Sequence, residues 1–164
     1  MAQTLNEIIH AMCIRNNNYF VENTAQQRGD FELKGSEIHL EMDLEPGCWV
    51  LLSPGVGCFK VINKVDAGAG GFIYTLEDAE QIRHKWSGFV YEMALPLNFV
   101  KLAGRILEWV NSDEAKPSNL AGEGVAGVYT WRRAAAKNGL PFGWQELFAK
   151  ELAAYRKYVT GVRP

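Results

Sequence analysis

Residues 46–76 read PGCWVLLSPGVGCFKVINKVDAGAGGFIYTL, and the reading of this stretch decides the fold. Three short runs rich in β-branched and aromatic residues, CWVLLS, CFKVIN and FIYTL, are separated by Pro54-Gly55-Val56-Gly57 and by the Gly68–Gly71 cluster. Runs of this length and composition, bounded by Gly and Pro, predict strands joined by tight turns. Upstream, Phe31 and Leu33 alternate with charged residues. After Gly35-Ser36, Ile38, Leu40 and Met42 alternate against Glu37, His39 and Glu41, which predicts a two-residue hairpin with one wet face. Downstream, FVYEMAL follows Ser87-Gly88 as a further strand. The region 30–93 is therefore expected to form five or six antiparallel strands in a meander or a small half-barrel.

Helical signals flank this β region. In TLNEIIHAMCIRN, residues 4–16, Leu5, Ile8, Ile9, Met12 and Cys13 share one face, Thr4 and Glu7 form a T-x-x-E capping box, and Asn16-Asn17-Asn18 stops the helix. Pro96 opens a second helix in which Phe99, Leu102, Ala103, Ile106, Trp109 and Val110 make the apolar face. Residues 111–124, NSDEAKPSNLAGEG, read as a polar linker. Beyond it, VAGVYTWRRA alternates like a strand, Asn138-Gly139 marks a turn, and Trp144, Leu147, Phe148, Leu152 and Tyr155 recur at helical spacing toward Tyr158. The expected class is α+β: helices packed with a small antiparallel meander or half-barrel, plus a C-terminal strand and helix. The expected organisation is a body over 1–110, a linker over 111–124 and a C-terminal segment over 125–164.

At 164 residues with 48% hydrophobic positions, the chain can build one ordinary core. No apolar run reaches the roughly 18 to 20 residues of a membrane span, and MAQTLNEIIHAM lacks the pattern of a signal peptide, so a protein made and kept in a cytoplasm is expected. The net charge of −2 is unevenly spread. Residues 1–125 carry 10 Lys/Arg against 17 Asp/Glu, and residues 126–164 carry 7 against 2. A basic end on an acidic body marks either a segment that meets an oppositely charged partner or a solvated basic face.

The sequence offers no catalytic constellation. Gly68-Ala69-Gly70-Gly71 lies between predicted strands and lacks the Lys-Ser/Thr of a phosphate loop. His10, His39 and His84 show no metal spacing, and Cys13, Cys48 and Cys58 share no C-x-x-C and sit among apolar neighbours. A Cys48–Cys58 disulfide is conceivable if those strands pair, but a reducing cytoplasm opposes it. The acidic runs Glu41-Asp43-Glu45 and Glu77-Asp78-Glu80 lack the ligand pattern of a calcium loop. No serine lies in a G-x-S-x-G turn. No enzyme activity, cofactor or metal is expected.

Four stretches carry a resemblance to a known family: NNYFVE with GDFELKGSEIHL, EPGCWVLL with GCFKVIN, GFVYEMALPLNFVKLAGRILEWV, and EGVAGVYTWRRA with GWQELFAKELAAYRKY. Together they resemble the head-tail connector (adaptor, head-completion) proteins of tailed bacteriophages, in the version with a β-rich insertion between helices. The last two stretches are the distinctive ones. In that family a short aromatic strand precedes a W-Q-x-x-F helix that ends in a basic aromatic cluster, and Trp144, Gln145, Phe148, Tyr155, Arg156 and Lys157 occupy those places here. Arg132-Arg133 and the AAAKNGLPFG insert depart from the family pattern.

The resemblance implies a non-enzymatic virion protein of the phage neck, assembled in the bacterial host. It implies a ring, commonly a dodecamer, under the portal protein, with stopper or tail proteins below and double-stranded DNA passing through the bore without specific contact. It assigns portal binding to Tyr155, Arg156, Lys157, Tyr158, Val159 and Arg163. Subunit packing falls to Tyr129, Trp131, Trp144, Leu147, Phe148 and Leu152. An acidic body suits a bore that does not grip DNA. The alternatives are a stopper or tail-completion protein of the same neck, which would be shorter and more purely β; a small ligand-binding or enzymatic β-barrel using the 46–93 region; and a DNA-binding module acting through Arg132, Arg133 and Lys137.

Overall fold

A computed structural model describes residues 2–79, 83–112 and 143–157, excepting the side chain at position 83. Helix α1 (Leu5–Asn16) leads into strands β1 (Gln26–Lys34), β2 (Glu37–Leu40), β3 (Trp49–Ser53), β4 (Gly57–Gly68), β5 (Gly71–Leu76) and β6 (Arg83–Met93). Helix α2 (Leu97–Val110) follows, and the short helices α3 (Trp144–Leu147) and α4 (Ala149–Ala153) complete the described elements. The fold is α+β, as expected, but the sheet is neither an open meander nor a half-barrel. It is a closed antiparallel barrel in the order β1-β2-β5-β4-β3-β6, with β6 returning to β1.

Closure rests on pairings between strands far apart in sequence. β1 pairs with β6 from Gln26↔Tyr91 through Phe31↔Trp86, β2 pairs with β5, and β3 pairs with β6 on the other edge. The hairpins β1–β2, β3–β4 and β4–β5 are the ones the turn residues predict. Gly35-Ser36 makes the first, with Lys34 opposite Glu37. Gly68, Ala69 and Gly70, all at positive φ, make the tip of the last. Ser87-Gly88, in contrast, is not a turn. β6 runs straight through it, with Gly88 opposite Gly29. The glycine answers a steric need there, since a β-carbon at Gly88 would lie 2.2 Å from the Ser53 carbonyl oxygen.

The barrel wall separates two cores. Inside, Leu33, Ile38, Leu40, Val50, Leu52, Phe59, Val61, Tyr74, Leu76 and Val90 fill the interior, joined by Phe31 and Trp86, whose rings lie 5.3 Å apart. Outside, α1, α2, α3 and α4 share a second apolar cluster with Trp49, Leu51, Cys58 and Met93 of the wall. β3 is therefore buried on both faces, which explains why WVLL is continuously apolar where β1 and β2 alternate. The connection 41–48 runs beside β4, from Asp43 in an ion pair with Lys64 to Gly47, whose N–H donates to the Val61 carbonyl at 2.7 Å. It seats buried Leu44 in the barrel core, where the Tyr74 hydroxyl accepts from the Leu44 N–H and donates to the Met42 carbonyl, both at 2.8 Å.

The helices follow their local signals. The Thr4 hydroxyl accepts from the Glu7 N–H while the Glu7 carboxylate accepts from the Thr4 N–H, and Asn17 closes α1 at φ 50°. Pro96 caps α2, which buries Phe99, Leu102, Ala103 and Ile106 and partly buries Trp109 and Val110. The single helix expected from Trp144 to Tyr158 is instead two short turns broken at Phe148. Trp144, Phe148 and Leu152 stand four residues apart, a step that drifts about 40° around a regular helix. The break keeps all three buried against the body.

Candidate interaction surface

The described part of the C-terminal segment packs on the body of its own chain. Trp144, Phe148 and Leu152 are buried in the same cluster as α1 and α2. Arg105 of α2 makes a two-pronged ion pair with Glu151 and lies over the Phe148 ring, its guanidinium carbon 5.5 Å from the centroid. Tyr155 stands edge-on to Phe99 at 5.1 Å, and Phe20 meets Phe99 from elsewhere at 4.8 Å, so the fully buried Phe99 carries two aromatic contacts. The Tyr155 carbonyl accepts from the Asn18 side chain at 3.0 Å. The Lys157 N–H donates to the Asn16 carbonyl at 3.0 Å, and its ammonium pairs with Glu22.

These contacts place the expected site residues unequally. Tyr155 engages α2 and the loop after α1, Lys157 engages the end of α1 and that loop, and Arg156 and Lys157 are both exposed. Leu147, expected on the apolar stripe, is 55% exposed, and Trp144 is the residue of α3 that is buried. Tyr129, Trp131, Tyr158, Val159 and Arg163 lie outside the described residues, as do Arg132, Arg133, Lys137 and nearly all of the 111–124 linker.

A second surface was hidden in the sequence. Along the outside of β1 and β6, cross-strand neighbours form a ladder of Glu32 with Lys85, Asp30 with Ser87, and Arg28 with Phe89. Lys85 pairs with Glu32 at 3.6 Å, the Ser87 hydroxyl donates to Asp30, and the Arg28 guanidinium lies 5.8 Å from the Phe89 centroid. Phe89 and Tyr91 stack at 5.4 Å. Two shallow depressions adjoin along this ladder and share Asp30 and Ser87. Period-two alternation in both strands is visible in the sequence, but nothing local says that β1 and β6 are neighbours.

Burial and hydrogen bonding shift a few titratable groups. Burial lowers His10 below its ordinary value of 6.5. Cys48 is pushed up to about 11, by burial first and then by the nearby carboxylate of Glu92. The Cys58 thiol is raised by its hydrogen bond with Cys13 and by burial, and Tyr19 is raised by burial and by both of those thiols. All three cysteines are free, so the conceivable Cys48–Cys58 bridge is not made. Among the described residues, no three His, Cys, Asp or Glu side chains converge as metal ligands, and no helix is long and apolar enough to cross a membrane. The indole N–H of Trp86 is buried without an acceptor among the described residues.

No protein-family model, curated protein or solved structure matches the chain.

Proposed function

We propose that the protein is a structural component of a tailed-phage neck, joining the capsid to the tail through contacts with the portal protein and with further copies of itself. The observation that carries this reading is the filled barrel. Twelve or so apolar side chains occupy its interior and Leu44 is seated among them, which leaves the outer surfaces as the place for function. That favours an assembly role over a small-ligand or enzymatic barrel. The resemblance of the GFVYEMALPLNFVKLAGRILEWV and GWQELFAKELAAYRKY stretches to head-tail connectors supports the neck as the assembly.

Within the neck, adaptor and stopper remain two positions. The preponderance of a closed barrel over helices favours the stopper or tail-completion position, and the aromatic-basic C-terminal segment favours the adaptor. Light scattering on the protein alone, with the portal protein encoded in the same structural module, and with the portal plus its other neck proteins separates them. Direct stoichiometric binding to the portal, or a ring, supports the adaptor. Binding only after another neck protein has been added supports the stopper. A monomer indifferent to all of these overturns the neck reading.

In either position the end of the chain is the expected contact. Deleting residues 158–164 spares the Lys157 anchors on Asn16 and Glu22, so the fold is retained and portal attachment is lost. Attachment that survives the deletion moves the contact to the body.

A further inference from the structure

Two of the three cysteines meet across the interface between helix layer and barrel. Cys13, on the covered face of α1, and Cys58, on the outward side of β4, are 0% and 1% exposed and belong to the same apolar cluster. Helix α1 packs directly on β4, and both thiols are buried in the apolar cluster that the two elements share. Cys48 is set apart from them, because it packs against the cluster inside the barrel, with the wall in between.

We propose that Cys13 and Cys58 form a dithiol site that closes to a disulfide under a two-electron oxidant and so fastens α1 covalently to β4. The balance is simple. Two S–H bonds are lost and one S–S bond forms, and the two electrons and two protons pass to the oxidant, a diazene being reduced to its hydrazine. Neighbouring sulfurs on packed, opposed elements meet the first geometric need of a disulfide. The attacking species is a thiolate, which burial suppresses here, so closure is slow at neutral pH and follows transient loosening of α1 from the wall. Once made, the bond closes a long loop, residues 13–58, that holds the end of α1 and strands β1, β2 and β3, a constraint that acts chiefly on the unfolded chain.

The inference stands apart from the neck assignment and is tested on the full-length protein with diamide. Peptide mapping without reductant is expected to show a product lighter by about 2 Da in which the peptides containing Cys13 and Cys58 are linked. Cys48 stays open to alkylation, and dithiothreitol reverses the change. The melting temperature is expected to rise by about 5 to 10 °C on oxidation. Cys48→Ser leaves the link and the rise intact, whereas Cys13→Ser removes both. The mapping on the unaltered protein and on Cys48→Ser does not depend on whether Cys13→Ser folds. The proposal is overturned if Cys13 and Cys58 stay unlinked both in buffer and in urea below the unfolding midpoint, or if every link formed there involves Cys48.

Discussion

Gly88 of β6 lies against the Ser53 carbonyl of β3 so closely that a β-carbon on Gly88 would be 2.2 Å from the Ser53 oxygen and 2.7 Å from Pro54 Cδ. The obstacle is backbone, which cannot swing aside as a side chain would. Gly88→Ala is expected to destabilise the protein by about 2 to 3 kcal/mol. Its cross-strand partner supplies the control, since a β-carbon at Gly29 would meet only Phe31 Cζ at 3.8 Å. Gly29→Ala should cost less than about 1 kcal/mol. Urea denaturation of both variants checks the difference, and equal costs would mean that β6 does not approach the Ser53 carbonyl of β3 as described.

Trp144 anchors the C-terminal segment in the helix layer. Trp144→Ala is expected to cost about 3 to 5 kcal/mol. The loss should appear first as proteolytic sensitivity around α3 and α4, with the barrel still folded. A neutral result would show that the segment does not pack on α1 and α2.

Tyr74 holds Leu44 through a hydroxyl that both accepts and donates. Tyr74→Phe leaves the Leu44 N–H and the Met42 carbonyl without that partner and should cost about 1 to 3 kcal/mol. Hydrogen exchange at the Leu44 amide should accelerate more than at amides of β1. Unchanged exchange there would argue against the bond.

His10 is half-buried beside Tyr19, the ring centroids 6.4 Å apart, and burial lowers its pKa below 6.5. Between its folded and unfolded pKa the unfolded chain binds more protons, so stability rises with pH there. The contribution is present above about pH 6.5 and is lost as pH falls through the unfolded value toward the folded one. His10→Gln should flatten the slope of stability below about pH 6.5 in urea titrations at stepped pH. An unchanged slope would assign it to other groups.

What the sequence reveals and what it hides divide along the range of the interactions. The capping box at Thr4 and Glu7, the left-handed Asn17 and the Gly35-Ser36 turn are decided within four residues of chain, and all are legible. The closure of β1 on β6 joins residues 26–34 to residues 83–91, and period-two alternation says which side chains share a face without saying which strand lies beside it. Gly88 shows the cost of local reading most clearly. Ser-Gly resembles a turn, and only the nearby Ser53 carbonyl reveals a packing glycine. At the candidate surface, the spacing of Trp144, Phe148 and Leu152 discloses an apolar stripe, whereas the body that receives it, and the meeting of Cys13 with Cys58, depend on tertiary placement.

The side chains packed within the barrel, with Leu44 fixed among them by Tyr74, make the barrel a solid post. Any conduit assembled from this chain therefore runs between copies, and its width and lining are set by the number of posts and by the outer faces they turn toward the axis. Substitutions inside the barrel would alter how long each post stands and leave the gauge of the opening untouched.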